Sequence, residues 1–414
     1  MNTVIDEPQS STTAVLARQP ILDRNQNILG YELLYRHNRQ AEHAEFDDPD
    51  AASASVMLRA CTDFGLERLV GGDLAFINMT SKLLRMGVPL LAPDDRLVLE
   101  ILETETIDRP LIQAVKDLKN QGFRIALDDF EGTLETPEQH ELLQLLDFIK
   151  LDIQLVPQHE LEGLVKKLRS VSAQLIAEKV ETPAQYQFCK SLNLDGFQGY
   201  YLFRPEITEE EIIGESRIGI MQLMAAVEAP DAGPNELAEA IRNDAVLTYK
   251  LLRLVNSAFF GLRTQVRSIQ HAIVYLGMSR VRQWARMLAI ARLDDQSPAL
   301  MKTSLNRAHV CELLAADSNN EQKEQAFIVG LFSLLDVLIK APMEKILENL
   351  PVAEPIRVAL LRGEGPWART LKDLQHYERG EWELIQPQRV DAIAKVYIEA
   401  LQWTDEVFAS IHSN

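Results

Sequence analysis

The sequence predicts an α/β barrel of the TIM type over residues 14–205, followed by an all-α domain over 206–414 and preceded by a disordered polar tail at 1–13. Three observations lead there. Short apolar runs alternate with helix-length amphipathic stretches through the first half, the pattern of parallel strands joined by crossover helices. Most of these runs close on a carboxylate or another strong polar group. Beyond Pro205 the strand signal nearly vanishes, and apolar residues recur at three- and four-residue spacing, as on packed amphipathic helices.

The strand candidates, in order, are VLARQPI, ILGYELLY, DLAFINM, RLVLEI, FRIALDD, DFIKLDI, QLIAEKV and FQGYYLF. Helical stretches at 51–70, 108–120, 138–146, 158–171 and 183–192 lie between most of them. Eight strands in this span suit a closed barrel somewhat below the usual size. GYYLFRPEITEEEI then reads as a domain boundary or the capped start of a helix. In the second half MQLMAAVE, ELAEAIRND, VLTYKLLRLVNSAFF, SIQHAIVYLG, RVRQWARMLAIARL, LNRAHVCELLAAD and QAFIVGLFSLLDVLI read as helices, with Asp244, Gly277 and Ser279 where caps or turns belong.

Composition narrows the function. A chain of 414 residues can bury two substantial cores. A formal charge of −19 argues against broad contact with nucleic acid or an anionic membrane, while leaving room for a local basic pocket. Cys61, Cys189 and Cys311 are too widely spaced for a disulfide framework or a thiolate metal site, which fits a reduced compartment. The sequence shows no apolar stretch of membrane-spanning length and no signal-peptide pattern at its start, so the expected location is cytoplasmic.

In a parallel barrel the carboxyl ends of the strands meet at one mouth. The polar residues at those ends are Glu32, Asn78, Glu100, Asp128 with Asp129, Lys150 with Asp152, Glu178 and Gln198, and Arg36 lies four residues past Glu32. Singly, each acid is as readily a helix cap or a solvated turn; their joint placement makes the argument. Several carboxylates gathered at one mouth repel one another unless a cation sits between them. An oxygen-only donor set with one amide suits Mg²⁺ or Mn²⁺. Six such donors, Glu32, Asn78, Glu100, Asp128, Asp129 and Glu178, exceed what one hexacoordinate ion needs. Two ions about 4 Å apart form a clamp for in-line attack on a phosphodiester. Lys150 can orient or help deprotonate the attacking water, and Arg36 can hold a phosphate oxygen.

The ordered motifs QPI (19–21), ELLYR (32–36), FIN (76–78), LEILE (99–103), DDF (128–130), KLD (150–152), AEKVE (177–181) and QGYYLFRP (198–205) resemble the EAL family. That family comprises cyclic-di-GMP phosphodiesterases built on a TIM-like barrel whose first strand is antiparallel. The resemblance implies metal ligands at Glu32, Asn78, Glu100, Asp128, Asp129 and Glu178 for two Mg²⁺ or Mn²⁺ ions. It also implies a catalytic lysine at Lys150, with Glu178 and Gln198 beside it. Gln19, Arg36 and Asp152 are implied to contact the dinucleotide, and Glu103 to steady the loop after the aspartate pair. One departure stands out. The family's glycine- and serine-rich loop after the aspartates, which couples dimerisation to metal binding, reads DDFEGTLETPEQ here.

The helical half resembles an HDOD domain in NDAVLTYKLLRLVNSAFFG (243–261), SIQHAIVYLG (268–277) and AFIVGLFSLLD (326–336), and the tandem resembles the EAL–HDOD (YuxH-like) signalling proteins. The His-Asp doublet of the related metal phosphohydrolases is absent. SLNRAH (304–309) and GLFSLLD (330–336) stand at the corresponding places, His271 and His309 fit helical patterns, and Asp336 is isolated. Asn256-Ser257 reads as a turn or helix contact. The expectation is a cyclic-di-GMP protein with weak or full hydrolysis to the linear dinucleotide, a non-catalytic helical domain that contacts a signalling partner, and a homodimer as a conceivable assembly. Two alternatives stand beside it: silent binding of the dinucleotide, and an adaptor that no longer uses its pocket.

Overall fold

A computed structural model of the protein describes residues 15–36, 65–86, 94–102, 105–130, 132, 136–200, 215–229, 232–243, 245–256, 266–290, 297–348 and 350–412. Strands β1 (Val15–Asp23), β2 (Ile28–Arg36), β3 (Leu74–Met79), β4 (Leu97–Ile101), β5 (Arg124–Leu127), β6 (Phe148–Asp152), β7 (Gln174–Glu178) and β8 (Gly196–Gln198) close into a barrel in sequence order. β1 runs antiparallel to both β2 and β8, and the other neighbours are parallel. The reason is local. Asp23 Oδ1 accepts the backbone N–H groups of Asn25 and Asn27, both at 2.8 Å, and Gln26 takes a left-handed φ of 63°. DRNQN therefore forms a tight hairpin, and no crossover helix can fit between the first two strands.

Alternation along the strands builds the interior in layers. Ile21, Phe76, Val98, Ala126, Phe148 and Ile176 pack into one apolar plug. Gly30 takes the β2 position in this layer, where a Cβ would lie 2.9 Å from the Phe76 ring and 2.6 Å from the Leu74 carbonyl oxygen. Two residues further toward the mouth on each strand stand Gln19, Glu32, Asn78, Glu100, Asp128, Lys150, Glu178 and Gln198. Each apolar plug position is thus followed, one pleat along, by a polar group.

Outside the barrel lie α1 (Leu66–Val70), α2 (Ser81–Arg85), α3 (Arg109–Asn120), α4 (Pro137–Leu143), α5 (Gln158–Leu168) and α6 (Pro183–Ser191). Thr80, Asp108, Thr136 and Thr182 cap helices leaving the strands, the last two in reciprocal boxes with Gln139 and Gln185. TPEQ after the aspartate pair is therefore a helix start.

The second half contains α7 (Glu215–Glu228), α8 (Pro234–Arg242), α9 (Ala245–Val255), α10 (Ile269–Leu276), α11 (Met278–Ile290), α12 (Pro298–Leu314), α13 (Asn320–Phe332), α14 (Leu335–Ile339), α15 (Met343–Glu348), α16 (Glu354–Arg362), α17 (Pro366–Glu378) and α18 (Pro387–His412). These helices cover the barrel flank that the hairpin leaves without a crossover helix. Val15 and Ala17 pack with Leu374, Tyr377, Tyr397 and Leu401, and Tyr377 Oη donates to the Leu16 carbonyl at 2.9 Å. Buried Arg18 lies over the Tyr31 ring, 4.1 Å from its centroid, and 3.6 Å from Asp405.

Candidate active site at the barrel mouth

Lys150 is the hub of the polar layer. Its side chain is 0% exposed, and its Nζ lies 2.7 Å from Glu178, 2.8 Å from Asp128, 2.9 Å from Glu100 and 3.3 Å from Glu32. Glu32 also accepts from Gln198 Nε2 at 2.6 Å and Asn78 Nδ2 at 3.1 Å, and the same Gln198 nitrogen donates to Gln19 Oε1 at 3.1 Å. One chain of contacts thus joins all eight residues of the layer.

The electrostatics follow from four carboxylates sharing one ammonium out of reach of water. Burial opposes the charge on Lys150, but Glu100, Glu32, Glu178 and Asp128 outweigh it and hold its pKa well above the ordinary value. Burial pushes Glu100 well above the usual carboxylate range, against the pull of Lys150 and with repulsion from Asp128 and Glu32 adding to it. Asp128 is raised, chiefly by burial, and Glu178 is pushed up to about 8 by burial, with Asp128 and Glu32 adding to the effect of losing water. Burial would raise Glu32 as well, yet Lys150 and the Gln198 hydrogen bond outweigh it and leave its pKa lowered.

Among the described residues, this cluster is short of positive charge and of hydrogen-bond partners. Asn78 Oδ1, Glu100 Oε2, Glu178 Oε2 and Gln198 Oε1 are buried without one. Glu100 Oε1 joins them because its 2.9 Å approach to Lys150 is an ion-pair contact outside hydrogen-bond geometry. Among the described residues, carboxylate oxygens of Glu32, Glu100 and Asp128 lie within 4.8 Å of one another, a spacing that can hold a metal ion. Orphaned oxygens, surplus negative charge and a hard-donor set together fit a divalent cation.

The remaining candidates lie at the rim. Asp129 follows Asp128 with a left-handed φ of 44°, and its Oδ1 is 3.1 Å from Lys179 Nζ. Asp152 is buried; its Oδ1 accepts the backbone N–H groups of Gln154 at 2.7 Å and Leu155 at 3.3 Å, while its Oδ2 contacts Lys179. Lys179 was not among the residues singled out from the sequence. Its place in AEKVE, directly after Glu178, was the available signal. Gly199 follows Gln198 with φ 145°, and a Cβ there would come within 2.2 Å of the Val180 carbonyl oxygen. Glu103 and the side chain of Arg36 lie outside the described residues.

In the helical half, the SLNRAH stretch (304–309) carries structural pairing. Arg307 donates to Glu378 at 2.7 Å and 2.9 Å inside the core. Half-buried His309 stacks on Trp403 with ring centroids 4.3 Å apart, and His271 meets Tyr275 edge-on. Asn256 bridges the end of α9 to Val266, accepting its N–H at 2.7 Å and donating to its carbonyl at 2.8 Å. Asp336 lies in the first turn of α14.

A barrel with this polar mouth, followed by helices, defines a two-part architecture, and the comparisons give the parts their names. A model of the EAL domain matches residues 73–205, and a model of the HDOD domain matches 219–348. The first match begins at β3, and the structure adds the β1–β2 hairpin, with Gln19 and Glu32, to the same barrel. The chain is 30% identical over 412 residues to a Vibrio cholerae protein named cyclic di-GMP phosphodiesterase CdgJ, covering 95% of this chain and 93% of that one. It is 29% identical to Bacillus subtilis YuxH over 400 residues, 94% of this chain and 97% of the relative. The chain belongs to the EAL–HDOD family. Among solved structures, the Klebsiella pneumoniae BlrP1 complex with manganese and cyclic di-GMP aligns at 21% identity and a TM-score of 0.38, covering 49% of this chain and 58% of that one. Among the described residues, no helix is long and apolar enough to cross a membrane.

Proposed function

We propose that the protein is a cyclic-di-GMP signalling protein whose barrel (residues 14–205) binds divalent cations, Mg²⁺ or Mn²⁺, and hydrolyses the cyclic dinucleotide to its linear form. In this reading the helical domain (206–414) is a non-catalytic surface for a protein partner. The observation that carries the reading is the Glu32–Glu100–Asp128 oxygen cluster, set one layer above the barrel plug and deficient in positive charge. The full-length relative named as a cyclic di-GMP phosphodiesterase supplies the substrate class.

Each side chain then has a role its chemistry allows. Glu32, Asn78, Glu100 and Asp128 are the donors to a cation, and Asn78 and Gln198 orient Glu32 by donating to its two oxygens. A bound divalent cation would acidify a coordinated water and neutralise phosphate charge. Glu178, whose buried Oε2 has no hydrogen-bond partner, can take a proton from that water once the cation draws its carboxyl into the ionised form. Lys150 supplies the fixed positive charge that lets the acids share one site. Gln198 Oε1 can accept from the water, and Gln19, Arg36 and Asp152 are the residues assigned to contact with the dinucleotide.

The test is turnover by purified protein with a Mn²⁺ series, following the linear product by chromatography. Product should form, and Glu100→Gln should abolish both product and Mn²⁺ binding. No product at any metal concentration refutes the hydrolytic reading. The altered loop, DDFEGTLETPEQ, favours a second reading in which the barrel binds the dinucleotide without cleaving it. Calorimetric binding in the absence of product would establish that alternative.

A further inference from the structure

We propose that Lys179 is a resident cation for the outer half of the site, holding Asp129 and Asp152 so that the barrel takes one divalent ion, at Glu32, Glu100 and Asp128, where two would otherwise sit. The inference rests on the cation-binding reading above and specifies its stoichiometry.

Three observations carry it. The first is position. Lys179 directly follows β7 with a left-handed φ of 55°, and its Nζ reaches both Asp129 Oδ1, at 3.1 Å, and Asp152 Oδ2. Asp129 is left-handed as well, so two residues in a conformation rare for side-chain-bearing residues meet across the rim. Such strain persists where surrounding structure fixes it, and the ion pair joins the strained pair directly.

The second is separation. Among the described residues, the carboxylate oxygens close enough to hold one ion belong to Glu32, Glu100 and Asp128; Asp129, adjacent in sequence, is not among them. The aspartate pair is divided, with Asp128 turned to Lys150 at 2.8 Å and Asp129 to Lys179.

The third is need. The Asp152 side chain is only 1% exposed, and its Oδ1 is already used by two backbone amides, so its remaining oxygen requires a positive partner. Lys179 supplies it from a side chain that is still 47% exposed. An ammonium held by two carboxylates does what a second divalent ion would do for their charge. It cannot be removed by a chelator, and it brings no coordinated water.

The experiment counts ions. Full-length protein is stripped with chelator and titrated with Mn²⁺ alone, with free Mn²⁺ read by electron paramagnetic resonance and bound metal by elemental analysis. Wild type should bind one ion. Lys179→Met and Lys179→Gly should bind two, and Lys179→Arg one. Glycine adopts a positive φ without strain, so the Gly variant keeps the test valid if the Met variant does not fold. Two ions on wild type, or one ion on all four proteins, would overturn the proposal while leaving the cation site intact. No ion on any of them would overturn the cation-binding reading and the proposal together.

Discussion

Replacing Lys150 with Met gives the sharpest test of how the mouth is held together. The substitution keeps the side chain's approximate volume and removes an ammonium that lies 2.7–3.3 Å from four carboxylates. Removing one partner from a buried charge pair costs about 3–5 kcal/mol. The upper end applies only if every acid stays ionised, and Glu100, Asp128 and Glu178 are already shifted toward holding protons. At pH 8, in chelator, the variant should therefore lose about 3 kcal/mol, or roughly 3–4 °C in melting temperature at an unfolding entropy of about 2.1 cal/mol/K per residue over the 414-residue chain. At pH 5.5 the acids take up protons in place of the lost ammonium, so the drop should shrink to a fraction of that. Mn²⁺ at a hundred times its dissociation constant should restore about 2.7 kcal/mol. Circular-dichroism melts under these three conditions decide the matter. A drop below about 1 °C at pH 8, or one equal at both pH values, would refute the charge-sharing argument.

Other perturbations probe separate links. In metal-free wild type, burial holds the Glu178 carboxyl near 8 against an ordinary value of 4.5, so the folded state keeps a proton that the unfolded chain releases. Stability should fall as pH rises from about 4.5 to 8, by at most about 5 kcal/mol at 1.36 kcal/mol per unit, and Mn²⁺ should flatten the fall in urea titrations. Gly199→Ala forces a Cβ against the Val180 backbone, so it should displace Gln198 and lower affinity for Mn²⁺ as well as the melting temperature. Glu378→Gln strips buried Arg307 of its carboxylate and should cost about 3 kcal/mol or more in urea unfolding, while the double change Arg307→Met, Glu378→Leu should recover most of that loss.

Much of this was legible in the sequence because a strand alternates with period two. Phe76 and Asn78, Val98 and Glu100, Ala126 and Asp128, Phe148 and Lys150, and Ile176 and Glu178 are each two residues apart, so the apolar runs announce the plug and their polar ends announce the mouth. The antiparallel first strand came with the family resemblance, and its cause is the Asp23 turn. What stayed hidden depends on contacts between distant segments. Lys179 meets Asp129 from 50 residues away, and only a left-handed backbone brings it there. Arg307 and Glu378 are 71 residues apart, and neither alone signals a core ion pair. The split of the aspartate pair between two cations is a matter of backbone turn at Asp129, which no spacing rule encodes.

The helical cover over β1 has a consequence for dissecting the molecule. Val15 and Ala17 are sealed from solvent by residues that arrive some 360 positions later, among them Leu374, Tyr377, Tyr397 and Leu401. A chain truncated after the barrel would expose a greasy flank on the strand that carries Gln19, inviting self-association. The two named domains are, in this respect, halves of one cooperative body, and activity lost on truncation would report a damaged scaffold before it reported a missing regulator.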